Sequence, residues 1–300
     1  MRDLPMELLR DLIFDYTLRN VALGSALLGV VSGVLGCFAV LRRQGLLGDA
    51  LAHAALPGIC VAYLLAHAKT QIVLLIGAAV AGWIATILLL QIVRHTRISE
   101  DGALGIVLST FFAFGIVLLT FITKRGDANQ SGLDKFLFGQ AAALVAEDVI
   151  TMAILGGSAL ALVALLYKEF KLLAFDASFG ASLGFNTNVL SVLLTSLVVI
   201  AIVIGLQTVG VVLMAAMLVG PAVAARQWTN RLSVMLILAA LFGALAGLAG
   251  ALLSVSDAGI PTGPMIILSL TVIVLFSLFL APERGLVWDA MRRSAVSREL

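Results

Sequence analysis

Residues 42–67 read RRQGLLGDALAHAALPGICVAYLLAH, and their reading decides how often this chain crosses a membrane. A helical span needs about 20 predominantly apolar residues, so the apolar run 54–67 is too short alone. It reaches spanning length only by beginning near Leu46, which puts Asp49 and His53 in the first turns of a span. Four residues apart on a helix, the two side chains share one face, with Cβ atoms about 5–6 Å apart. An ionisable group at mid-bilayer costs about 2.5–3.5 kcal/mol by insertion scales, so such groups usually have a task. Carboxylate plus imidazole at that reach suits a divalent transition metal. Pro57 has no N–H to give to the carbonyl of His53, and a helix break at Pro57 is expected beside the pair. Broken helices of this kind line the path in many transporters. A second reading stays open, in which Asp49 only caps the helix at the surface and His53 is its satisfied neighbour.

The rest of the chain puts that stretch in a membrane. Of 300 residues, 61% are hydrophobic and 12% charged, and the mean hydropathy is +1.13. Soluble domains carry about 25% charged residues. The composition therefore predicts an all-α polytopic membrane protein. Nine apolar segments are expected, at about 20–41, 46–67, 71–93, 102–122, 147–167, 189–207, 209–225, 233–253 and 261–281. The sixth and seventh nearly merge at Gln207-Thr208. Before them, residues 4–19 place Leu8, Leu9, Leu12, Ile13 and Tyr16 on one helical face, so residues 1–19 read as an amphipathic interfacial helix. Residues 20–281 form one transmembrane domain, and 282–300 form a tail.

Charge orients the spans. Arg42-Arg43, Arg94 with Arg97, Lys168 with Lys171, and Arg226 with Arg231 follow alternate spans, and the tail adds Arg284, Arg292, Arg293 and Arg298. The positive-inside rule makes these cytoplasmic, with the C-terminus inside and the N-terminus outside. Gly29-Val-Val-Ser-Gly33 and Gly243-Ala-Leu-Ala-Gly247 are small-xxx-small patterns that let helices approach closely in lipid.

Two further places interrupt the spans. Residues 171–188 contain FDASFGASLGFNTN, too rich in glycine and Asn to span, yet with Phe175, Phe179, Leu183 and Phe185. A short helix over about 176–183 would present Phe179 and Leu183 either to a cytosolic partner or to the lipid interface. Residues 256–264 (SDAGIPTGP) hold Asp257 and Pro261 in a non-helical approach to the last span. Met214 and Met217 read either as soft metal ligands or, the commoner role of methionine at helical spacing, as packing residues.

Several classes are excluded. No basic run points to nucleic acid, and Cys37 and Cys60 lie in apolar segments without a disulfide pattern. No G-x-x-x-x-G-K-[ST] is present, so the chain does not cradle ATP phosphates itself, and no H-E-x-x-H is present. A membrane metalloenzyme would need a third ligand and a base that the sequence does not show, so the chain reads as no enzyme.

The runs LRRQGLLGDALAHAALPG, TRISEDGALGIVLS, LDKFLFGQ, FDASFGASLGF, TVGVVLMAAMLVGPAVAAR and SVSDAGIPTGP occur in this order. Together they resemble the permease family of bacterial manganese, zinc and iron ABC importers, over about residues 20–281. The resemblance implies a type II importer permease, akin to the cobalamin importer fold without its first helix. It implies pairing with a second permease copy or a paralogue, two cytosolic ABC ATPase subunits docked beneath, and an extracytoplasmic metal-binding protein. Asp49 and His53 match the family's pathway metal site. The segment containing Phe175, Asp176, Ala177, Phe179, Gly180, Leu183 and Gly184 matches its ATPase-coupling loop. No permanently bound cofactor is expected, only the transported ion. The rival from another class is a stand-alone carrier or channel for divalent cations using the same pair without ATP.

Overall fold

The computed structural model describes residues 16–66, 71–124, 139, 141–255 and 260–288. The expected interfacial helix over 1–19 lies outside the described residues up to Phe14 and Asp15. So do Asp257 and the tail from Asp289 onward.

The described chain is helical, with no strand. Eleven α-helices follow in order: α1 Tyr16–Leu41, α2 Leu47–Ala66, α3 Gln71–His95, α4 Glu100–Lys124, α5 Ala146–Leu165, α6 Tyr167–Phe175, α7 Ala177–Ser182, α8 Thr187–Thr208, α9 Gly210–Trp228, α10 Leu232–Val255 and α11 Thr262–Leu280. A 3-10 turn, Ala141–Ala143, precedes α5. Nine of these helices, all but α6 and α7, are apolar and 19–26 residues long. At 1.5 Å per residue the shortest still runs about 28 Å, close to the thickness of a bilayer's hydrocarbon core. Helices are the expected form because lipid offers no partner to an open backbone N–H or C=O.

The expected start of the first span at residue 20 gives way to a helix that already begins at Tyr16. The guanidinium of Arg19 sits 5.9 Å from the centre of the Tyr16 ring, which lets a charge ride on the helix end. The Tyr16 hydroxyl accepts a hydrogen bond from the Ala146 N–H (3.1 Å), tying α1 to the start of α5.

Helix α1 is the axis of the bundle. Within its most apolar window 72% of residues are buried inside the protein, against 22% for α4, α5 and α11, which leave broad faces uncovered. It packs most heavily on α10, and also on α9, α5 and α8. The two small-residue patterns meet here: Gly29 lies backbone to backbone on Gly243, and Gly247 on Ser25. A Cβ on Gly29 or Gly243 would collide with the facing main chain. Gly58 of α2 and Gly77 of α3 make a second contact of this kind.

Helix α2 lies against α3, α4, α9 and α8. The expected break at Pro57 does not occur: α2 runs unbroken from Leu47 to Ala66 with the proline inside it. The proline removes one intrahelical N–H donor, and the helix continues past it with α3 and α4 packed alongside. The Pro57 ring packs over Gly115 of α4, where the absence of a side chain makes room. Cys60 donates a weak Sγ hydrogen bond to the Gly115 carbonyl (3.9 Å). Pro261 is extended (φ −70°, ψ 129°) immediately before α11. Between α8 and α9 the chain reverses at Val209 and Gly210, and Gly210 takes φ +79°, a region that favours glycine.

Replacing Gly243 by leucine should prevent the α1–α10 contact and lower the thermal midpoint of the purified protein by many degrees or abolish its recovery. Gly157→Leu, at a position with open space around it, should leave the midpoint nearly unchanged. Thermal unfolding in detergent compares the two.

Candidate functional site

The first turns of α2 bring Asp49 and His53 together. His53 Nε2 lies 3.2 Å from Asp49 Oδ1, with the two side chains 15% and 32% exposed, respectively. Asp49 is the third residue of α2. That is past the N-cap position, where a capping residue would sit. Two donor atoms about 2.1 Å from one ion and at a right angle to each other lie about 3.0 Å apart. The observed 3.2 Å is close to that separation, and it is also the length of a hydrogen bond between an imidazole and a carboxylate.

Phe112 of α4 stands against the imidazole, with ring centroids 4.6 Å apart and planes at 72°, an edge-to-face contact. The other ring nitrogen, Nδ1, is buried with no hydrogen-bond partner among the described residues. Those residues contain no group of three or more His, Cys, Asp or Glu side chains placed for a metal. One chain thus brings one carboxylate and one imidazole together, with no third such side chain placed beside them among the described residues. A cavity of about 540 Å³ beyond Pro57, between α2, α3 and α4, is lined by apolar residues such as Val61, Leu65, Ile76 and Phe114. It has no side chain to ligate a cation.

The link from α1 into α2 is pinned to two other helices. Gln44 is buried, and its Nε2 donates to Glu100, the first residue of α4. Its carbonyl accepts from the Leu47 N–H (3.0 Å), at the head of α2. Arg42 donates from its guanidinium to Ser191 Oγ of α8 (3.0 Å). Burial lowers the Arg42 pKa from its ordinary value, with the Glu100 charge acting the other way. Arg43 takes φ +61° in this turn.

The segment over 171–188 forms two short helices rather than one. Helix α6 was not visible in the sequence; it is anchored by Phe170, which is fully buried and meets Phe38 of α1 edge-on at 5.9 Å. Asp176 then caps α7: its Oδ1 accepts from the Phe179 N–H (2.9 Å) and from Ser178 Oγ (2.7 Å). Those bonds, the Phe179 N–H foremost, lower the Asp176 pKa. Gly180 is buried, with Leu172 and Thr187 close by. Phe175, Ala177, Phe179 and Leu183 are exposed, and Gly184 ends the turn at φ +89°. Asn186 caps α8 by accepting from the Val189 N–H (3.2 Å). Ser191, the partner of Arg42, lies in the second turn of α8.

The sequence missed Phe112 and the Gln44–Glu100 bond. Phe112 sits in an apolar run where nothing distinguishes a ring against lipid from one against an imidazole. Glu100, which with Asp101 opens an apolar run, was the available signal for the second. Met214 and Met217 are completely buried in the core.

The family described as "ABC 3 transport family" matches residues 14–281. The chain is 48% identical to the zinc transport system membrane protein TroC of Treponema pallidum (strain Nichols), covering 97% of this chain and 98% of that one. It is 50% identical to the manganese transport system membrane protein MntC of Bacillus subtilis (strain 168), covering 93% of this chain and 65% of that longer protein. Among solved structures, PsaBC from Streptococcus pneumoniae in complex with Fab superposes with a TM-score of 0.81 at 31% identity, covering 93% of this chain and 97% of that one.

Proposed function

The chain belongs to the ABC 3 transport family, and we propose that it is the membrane permease subunit of an ABC importer carrying a divalent transition metal into the cytoplasm. The observation that carries this reading is the Asp49–His53 pair, 3.2 Å apart on a helix enclosed by four others. The names of the relatives, for zinc and for manganese transport, favour these ions, with iron within the reach of the same ligands.

Two ligands per chain make sense if a second permease, a copy or a paralogue, faces the first across a two-fold axis. Two carboxylates and two imidazoles would then replace part of the ion's water shell and offset its charge. Protons compete with the metal at both residues. Leaving some positions to water keeps residence short, as passage requires.

The arginine- and lysine-bearing end of the bundle, with Arg42, Arg94, Lys168, Lys171, Arg226 and Arg284, faces the cytoplasm in this reading, and the N-terminus faces outside. That places α7 where cytosolic ATPase subunits dock. Phe175, Phe179 and Leu183 present an apolar face for them, held by the Asp176 cap. The permease hydrolyses nothing itself; an extracytoplasmic binding protein supplies the ion, and the ATPases supply the energy. The surrounding lipid contacts the uncovered faces of α4, α5 and α11.

Asp49→Ala and His53→Ala should each abolish metal uptake into proteoliposomes containing the assembled transporter, while the complex still purifies intact. Wild-type uptake in either variant contradicts the site. Phe179→Asp should block copurification of the ATPase or leave its hydrolysis no longer tied to transport. Normal copurification with normally stimulated hydrolysis and transport removes α7 from the docking surface.

A further inference from the structure

The fold treats the two ring nitrogens of His53 differently. Nε2 faces Asp49, whereas Nδ1 is buried and has no hydrogen-bond partner among the described residues. A ligating histidine ordinarily donates its far N–H to a carboxylate or carbonyl. That bond fixes the tautomer, aims the ring and makes the ligand more basic, and its loss typically costs 10–100-fold in metal affinity. Here a phenyl ring occupies the flank of the imidazole. Phe112 holds it by an edge-to-face contact at 4.6 Å, a geometry that aromatic pairs prefer. A phenyl ring fixes orientation but offers no oxygen to Nδ1.

We propose that Phe112 is a positioning residue that aims His53 at the metal by ring packing while withholding the usual acceptor, which keeps the cargo weakly held. The assignment deepens the metal-site reading of Asp49 and His53 and rests on it. Its logic is that of a carrier. A resident metal benefits from a basic, hydrogen-bonded imidazole. A passing ion needs an aimed imidazole that lets go. Phe112 also stands on α4, a different helix from the ligands, so the aim of His53 depends on how α4 sits against α2.

The test uses the full transporter reconstituted with its ATPase. Manganese and zinc uptake give KM and maximal rate, equilibrium manganese binding without nucleotide gives Kd, and nitrogen-15 NMR of the metal-free imidazole reports ring order. Phe112→Leu should raise KM and Kd by about tenfold, broaden or split the His53 ring signals, and leave the maximal rate within about twofold. Phe112→Tyr keeps the ring and should restore all three. Wild-type KM, Kd and ring signals in Phe112→Leu overturn the proposal. So does a Phe112→Leu loss that Phe112→Tyr fails to restore. His53→Ala separates the two levels: if it transports normally, the metal-site reading falls. If it is inactive while Phe112→Leu behaves as wild type, only the role of Phe112 falls.

Discussion

Helices in lipid gain nothing from hiding apolar surface from one another, because the tails around them are as apolar as leucine. What holds them is close contact, and close contact needs small residues. The main-chain approach of Gly29 to Gly243 and of Gly58 to Gly77 is therefore the constraint on which the rest of the bundle depends. The first fixes α1 as an axis against α10. The second presses α2 onto α3 and so determines where the Asp49–His53 face points. Pro57 remains inside a continuous helix, with α3 and α4 packed against α2.

Three charged groups near the head of α2 have partners within the bundle. Asp49 meets His53, Glu100 meets Gln44, and Arg42 meets Ser191. These contacts gather at the end of the bundle where α2 and α4 begin. They join the head of α2 to α4 through Gln44 and to α8 through Arg42. Helix α8 in turn continues directly from α7 through the Asn186 cap. A set of contacts thus runs from the exposed Phe179 face to the turn that opens α2.

Much of this was legible in the sequence. The nine spans were visible because apolar runs of spanning length have no soluble alternative, and the short 54–67 run demanded that Asp49 and His53 be counted inside its helix. The Asp49–His53 approach followed from helical spacing alone. The exposed α7 helix was visible because Phe179 and Leu183 sit among glycines and polar residues. Three features were hidden for physical reasons. Pro57 read as a break because sequence shows the lost hydrogen bond but not the neighbours that make up for it. Helix α6 was absorbed into a loop because its anchor, Phe170, has value only through Phe38 far away in the chain. Phe112 was invisible because an aromatic ring in an apolar span has the same signature whether it meets lipid or an imidazole.

The central claim is that a carboxylate and an imidazole on α2 directly ligate the transported ion. Pulsed electron paramagnetic resonance of manganese bound to the nucleotide-free transporter addresses this without recourse to transport rates. The account predicts modulation from imidazole nitrogen in the bound-manganese signal, lost in His53→Ala. A bound ion with an all-oxygen signature, unchanged by that substitution, would contradict it.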